Sequence, residues 1–344
     1  MKLLSATCQR NEGPFLLEWL AYHRLIGFTD FIVFSNDCED GSDLLLDRLH
    51  ELGLLQHHPN PATGGKSVQW QALQHLAKER LTHGADWLLF SDIDEFPMIH
   101  AGGHCISDAL AAMPDGTDAI ALPWRLFGAN GIIGYVDSPV TGQFLRSAPD
   151  PLYHPIASRS FKTLYRPAAF QKPGVHRPKC KASGPKPMWA DGASQALPES
   201  FTSSDEAISL PGLTPGRAVI ELHHYSLRSV ESFLVKVERG LANRKTKAID
   251  LAYWVERNFN TVENRAMAFW QEALAQEIAN LRALPGVDPL HLAACDWHRK
   301  RAAISARTPE GYQLLCHCIH AAQTAPLPRE LALRLYGLFS EIKG

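Results

Sequence analysis

The feature that most constrains this chain is a strict alternation over its first 125 residues. Short apolar runs of strand length give way repeatedly to stretches with helical periodicity. Residues 3–7 read as a strand. Pro14 opens a helix, where its missing N–H costs nothing; Phe15, Leu16, Trp19, Leu20, Tyr22 and His23 give the period and Gly27 ends it. Asp30–Ser35 reads as a second strand. Leu44, Leu45, Leu46, Leu49 and Leu52 line a second helix that stops at Gly53, and 66–82 reads as a third. Trp87–Phe90 and 119–123 complete the strand set. Alternation at this spacing predicts an α/β fold with a mainly parallel sheet and helices on both faces. Ligands of such sheets sit beyond the carboxyl ends of the strands.

From about 125 to 217 prolines and glycines multiply and helical periodicity fades. Strand-like pieces remain at 159–165 and 218–224, and 182–216 reads as long loops, a setting typical of substrate binding. Beyond 229 the chain reads as helical: 229–240, 248–258, 262–283, 290–306, 310–322 and 328–341. The organisation expected is a domain over 1–245, in two halves at 1–125 and 126–245, then a helical region at 246–344.

The formal net charge of −2 provides no global field for nucleic acid, so no nucleic-acid partner is expected. Seven scattered cysteines fit a reducing compartment. The apolar run at the start is too short for a secretory signal, and no window reaches a membrane span. A cytoplasmic location is the expectation, with room for peripheral contact at the inner face of the membrane.

Chemistry concentrates in Asp92-Ile93-Asp94-Glu95, which follows the apolar run Trp87-Leu88-Leu89-Phe90. Two carboxylates at a strand tip repel unless a cation or water lies between them. Mg²⁺ and Mn²⁺ bind through such carboxylates together with substrate phosphate oxygens. Taken alone, the same four residues are an acidic turn after a strand. Thr7, Gln9, Arg10, Asn11 and Glu12 follow the first strand, and Ser35, Asn36 and Asp37 the second. These can bond the base and ribose of a nucleotide, or simply cap the helices behind them. Gly64-Gly65-Lys66-Ser67 resembles the tail of a phosphate loop, but Asn60 stands where the first glycine belongs, so a Walker motif is rejected. Lys66 is left as either a phosphate contact at a helix start or an exposed lysine. Cys316-His317-Cys318 with His320 reads as helix packing, Asp296 to Arg301 as a charged helical face, and Trp254, Trp270 and Phe269 as core or interhelix contacts.

Several runs together resemble the glycosyltransferase family 2-like enzymes close to glycosyltransferase family 92. They are Gln9-Arg10-Asn11-Glu12-Gly13-Pro14 through His23, Phe34 to Ser42, Asp92 to Phe96, and Leu222-His223-His224-Tyr225-Ser226-Leu227-Arg228-Ser229 with Lys236 and Arg239-Gly240. The resemblance covers about 3–245. It implies a GT-A fold with a nucleotide-sugar-binding half at 1–125 and an acceptor-binding half at 126–245, a nucleotide-diphosphate sugar donor, a saccharide or lipid-linked acceptor, and Mn²⁺ or Mg²⁺. It places Asp92 toward the ribose or sugar, Asp94 on the metal, and a late histidine in the metal shell. His224 is the choice, with His223 and His176 as rivals. Neighbours on a strand face opposite ways, so one of His223 and His224 should face the site.

If transfer inverts the anomeric carbon, the acceptor hydroxyl needs a base. Asp191, beside Trp189 in a loop-rich region, is the first choice and Glu95 the second; Asp191 before Gly192 also fits an ordinary turn. His176 is open to a phosphate or metal contact. Two other readings stand beside a transferase: a non-catalytic nucleotide-sugar-binding protein, and an aspartate-nucleophile phosphatase. The phosphatase motif follows the first strand of its fold. Here the acids follow about the third.

Overall fold

The computed structural model describes residues 1–63, 67–203, 205–206, 216–239 and 249–343. In chain order the first elements are β1 (Leu3–Gln9), α1 (Gly13–Leu25), β2 (Asp30–Ser35), α2 (Ser42–Glu51), β3 (Gln56–Pro59), α3 (Val68–Lys78), β4 (Trp87–Phe90) and β5 (Glu95–Ile99). Then come α4 (Ile106–Ala111), β6 (Ala119–Leu126), α5 (Val140–Gln143), β7 (Arg146–Ser147), β8 (Phe161–Tyr165), β9 (Trp189–Asp191), α6 (Glu199–Thr202), β10 (Ile220–His224) and α7 (Val230–Arg239). The carboxyl-terminal part holds α8 (Leu251–Val255), β11 (Val262–Glu263), α9 (Gln271–Arg282), α10 (Val287–Ser305), α11 (Pro309–His320) and α12 (Arg329–Lys343).

The main sheet of the described residues runs β3-β2-β1-β4-β8-β6-β10-β5, with β9 also against β6. Pairings are parallel from β3 to β4, antiparallel around β8, parallel from β6 to β10, and antiparallel at the β10–β5 edge. This is the α/β, GT-A type, Rossmann-like arrangement: a mixed, mainly parallel sheet flanked by helices, with a helical extension.

Both faces of the sheet are covered, which is why β1 is buried at every position. Leu4, Ala6 and Cys8 pack with α3 on one face; Leu3 joins α1 and α2 on the other. The carboxyl-terminal helices belong to that second core, to which they add Met267, Trp270, Leu274, Leu281 and Val287. α1 is thus enclosed between sheet and helices, and all but its last two residues are buried.

Three strands of the main sheet escape the sequence pattern. β3 is Gln-His-His-Pro, without a β-branched residue. β5 carries Pro97, which a sheet tolerates because β5 lies at its edge. β9 is three residues inside the stretch read as loop. The acids therefore follow the fourth strand in the chain, not the third. The third helix begins at Val68 rather than 66, and Lys66 lies outside the described residues. The helix expected over 262–283 starts only at Gln271, because Val262 and Glu263 pair with β7.

Burying α1 puts the Glu18 carboxylate in the interior. It accepts hydrogen bonds from the amides of Val140 (2.7 Å) and Thr141 (2.9 Å) and from the Thr141 hydroxyl (2.9 Å). Glu18→Ala leaves those donors without partners in a site closed to water. We expect a loss of about 2–4 kcal/mol in urea unfolding; a loss under about 0.5 kcal/mol would show that water replaces the carboxylate.

Candidate active site

The turn between β4 and β5 carries Asp92 and Asp94, and the register of β5 against β10 decides what Asp94 meets. Glu95 pairs with His224, and the Tyr225 amide donates to the Asp94 carbonyl at 2.8 Å. That backbone bond sets the Asp94 carboxylate beside the His224 ring, with Nε2 3.6 Å from Oδ1. His223 faces the other way and bonds Glu221 at 3.1 Å, the outcome strand alternation requires.

Each acid is held by a lysine. Lys236, on α7, donates to Asp94 Oδ2 at 2.8 Å and to the Ser226 carbonyl at 2.7 Å. Burial alone would raise the Asp94 pKa, but Lys236 and His224 hold it well below the usual carboxylate range. Lys162 is enclosed in β8, 3.2 Å from Asp92 Oδ2 and 3.5 Å from Glu95 Oε2. Gln69 donates to the other Asp92 oxygen at 2.8 Å. One ammonium thus serves two carboxylates. Burial pushes Glu95 up to about 8, only partly offset by Lys162.

A second layer of charge lies behind the acids. Arg228 donates to Glu12 at 2.6 Å, and Arg239 holds the other Glu12 oxygen. Burial would raise Glu12, but the two guanidiniums bring it below its ordinary value. Arg228 also lies over the Phe15 ring, 3.5 Å from its centroid. Glu12 is buried with one arginine on each oxygen, so it locks the β1–α1 turn to α7 instead of meeting a ligand.

Any residue that touches a donor must show surface when no donor is bound, and this sorts the remaining expectations. Arg10, Asp37 and Asp92 are accessible at the strand ends. Asn11 and Asn36 are each 5 % exposed; Asn11 Oδ1 accepts from the Glu39 amide at 2.8 Å. Asn11 and Asp37 both take left-handed backbone, with φ of 53° and 47°, which these two residue types accept most readily. Thr7 is 0 % exposed and turned toward α1, so it cannot reach a nucleotide. Glu95 is equally closed and bonds the Asp92 amide at 2.8 Å, so it shapes the acidic turn and does not meet an acceptor.

Asp191 is also reassigned. Its Oδ1 accepts from the amides of Ala193 and Gln195, both at 2.9 Å, and its Oδ2 from Gly216 at 2.8 Å. It is a staple for its own loop, on a strand separated from β4 by β6 and β8. Trp189 packs in the core under Arg177 and is not a sugar platform. Phe269, expected in a contact, is 61 % exposed although its ring lies against His104.

His176 does come to the site. Its Nδ1 hydrogen bonds the Phe161 carbonyl at 2.9 Å, which leaves Nε2 with the lone pair. Trp124 lies between the two site histidines, with ring centroids 5.7 Å from His176 and 4.3 Å from His224. Burial lowers His176 to about 4, and the charge of Lys162 adds to the effect. Close by, Ser35, His57 and Asp47 form a relay with two 2.7 Å bonds. Ser35 is buried, so the relay fixes the end of β2 beneath Asn36 and Asp37.

The sequence reading missed Lys162, Gln69 and Trp124, and it assigned no role to Arg228, Lys236 or Arg239. A lysine flanked by apolar residues within a strand, as in Phe161-Lys162-Thr163-Leu164-Tyr165, was the available signal. Glu95 yields a pH prediction. Its folded pKa lies above the unfolded value, so its contribution to stability is full below about 4.5 and is lost as pH rises through about 8. Glu95→Gln should flatten the fall in melting temperature between those limits; an unchanged slope would place the titration elsewhere.

The family model for glycosyltransferase family 92 matches residues 7–188. Two stretches are similar to a glycosyltransferase family 92 protein of Ricinus communis. One is 28% identical over 130 residues, 37% of this chain and 23% of the relative; the other is 29% identical over 97 residues, 28% of this chain and 16% of the relative. The aligned part of the chain thus spans less than a quarter of that relative. Among solved structures, S. aureus TarS is 15% identical with a TM-score of 0.33, covering 90% of this chain and 56% of its own. A putative glucose-1-phosphate thymidylyltransferase from Bacillus anthracis is 10% identical with a TM-score of 0.28, covering 48% and 71%. With more than half of its 344 residues matched to the family model, the chain belongs to glycosyltransferase family 92.

Proposed function

We propose that this protein transfers a sugar from a nucleotide-diphosphate donor to a saccharide acceptor, with Mn²⁺ or Mg²⁺ held by Asp94 and His224. The single observation that carries the reading is the Asp94–His224 pair at the carboxyl end of the sheet. The pair fits a divalent ion on three counts. Asp94 is ionised, His224 is kept neutral by burial against the pull of Asp94, and Nδ1 of His224 is buried without a partner, so the ring is not committed to another bond. Two ligands on such an ion stand about 3 Å apart, against 3.6 Å here, a small closure.

For Asp92 the sequence leaves two places open, the cation and the ribose or sugar side. Its oxygens are taken by Gln69 and Lys162. We assign it to the ribose or sugar side, with Asp94 and His224 as the protein ligands. When bound, the ion supplies charge stabilisation to the departing nucleoside diphosphate. The chain's own part is orientation: Lys236 holds Asp94, Lys162 holds Asp92, and the Tyr225 amide fixes the turn between them.

Inversion at the anomeric carbon remains part of the reading, with a different base. Asp191 and Glu95 have their oxygens committed or closed off. His176 has a fixed lone pair on Nε2 and a half-buried position beside Trp124, so we infer that it receives the acceptor proton. Burial makes it a weak base, so its contribution lies at the lower end of the usual 10²–10⁴-fold, about 100-fold.

In a thermal-shift titration with UDP or GDP and Mn²⁺, the wild type should gain several degrees, and chelator should abolish the gain. His224→Gln should weaken Mn²⁺-dependent nucleotide binding at least tenfold. Binding by wild type that ignores chelator and the substitution alike would remove the metal from the site. Donor hydrolysis without acceptor would separate an enzyme from a binding protein. His176→Ala should lower kcat about 100-fold with donor affinity within twofold; unchanged kcat would exclude it as the base.

A further inference from the structure

A second cluster lies away from the acidic turn. Asp137 precedes α5, while His291 and Cys295 stand one turn apart on α10 and share a face. His291 Nε2 lies 3.0 Å from Asp137 Oδ1 and 3.5 Å from Cys295 Sγ. All three atoms fall within 4.8 Å of one another, which no other His, Cys, Asp and Glu trio among the described residues achieves. Cys295 is 0 % exposed and His291 3 %.

The geometry is not that of a thiol–imidazole–carboxylate relay, which engages the two ring nitrogens separately. Here carboxylate and sulfur both converge on Nε2, and Nδ1 is buried without a hydrogen-bond partner. A single nitrogen cannot direct one hydrogen at both. A cation between the three atoms satisfies them together. Around tetrahedral zinc, ligand distances near 2.0–2.3 Å place N and O about 3.3 Å apart and N and S about 3.6 Å apart, close to the separations observed.

We propose that Asp137, His291 and Cys295 bind zinc or a similar borderline-soft divalent ion, with water in the fourth position. One thiolate and one carboxylate balance its charge, which a buried site requires. Outer contacts are in place: the Tyr135 hydroxyl lies 3.2 Å from the sulfur, and Arg282 donates to the second Asp137 oxygen at 3.2 Å. The ion would tie α10 to the loop that packs Tyr135 against Phe15 and His298. The proposal stands apart from the Asp94 site and from the transferase reading.

The test uses the full chain. Protein grown with zinc and desalted should carry about one zinc per chain by mass spectrometry of the metal. Cobalt substitution should produce the charge-transfer absorption of a cobalt–thiolate bond. Asp94→Asn should retain both signals. Cys295→Ser should abolish the band, and His291→Gln should lower zinc content at least tenfold. Wild type that takes up neither metal, or a band that survives in Cys295→Ser, would overturn the assignment. If a variant fails to fold, the wild-type zinc content and cobalt spectrum still decide.

Discussion

A carboxylate taken out of water must be answered by a donor or a cation, and four of the carboxylates answered in this way organise the structure around the site. Glu12, Glu18, Asp94 and Glu95 are all buried. Glu18 is answered by amides, Glu12 by two arginines, Asp94 by Lys236 with His224 alongside, and Glu95 by the Asp92 amide and a shared lysine. Because the side-chain partners are far away in sequence, each of these pairings is also a tertiary constraint. Lys162 joins β8 to the β4–β5 turn, and Glu12 joins the β1–α1 turn to α7. Removing the partner of any of these groups would cost more than the pairing gains, so the network enforces its own geometry.

The site follows from that enforcement plus one register. An antiparallel slip of one residue between β5 and β10 would turn His224 into the core and bring His223 to Asp94. The Tyr225 amide bond to the Asp94 carbonyl and the cluster of Glu221, His223, Arg125 and Arg217 on the opposite face both resist such a slip. The two faces of β10 are therefore specified independently: one by a salt-bridge cluster, the other by the site.

How far the sequence reveals this depends on whether a signal is local. The β4 tip and its acids are legible because four apolar residues followed by Asp-x-Asp form a continuous run. The helices with Leu at helical spacing are legible for the same reason. β5 is not, because Pro97 reads as a strand breaker unless the strand is known to lie at the edge. The reading of Asp191 as a base fails for a related reason. Aspartate before glycine in a loop suits catalysis and turn-making equally, and only the positions of the Ala193, Gln195 and Gly216 amides decide between them. Lys162 was visible as an anomaly, a lysine among inward-facing apolar residues, but its partners at 92 and 95 lie seventy residues away and only the sheet order unites them.

The carboxyl-terminal helices shed light on the same problem. They fill the core that closes over α1, the same core that takes Trp87 and Leu89 of β4. α7 is the hinge of the arrangement: Lys236 and Arg239 point from it toward Asp94 and Glu12, while Ser232 bonds His298 of α10 at 3.1 Å. A shift of α10 against α7 would move the cations before it moved the acids. Cations drawn away from Asp94 and Glu12 would leave both charges unanswered in a dry interior. The helical region thus acts on the site through α7, by fixing where the positive charge stands.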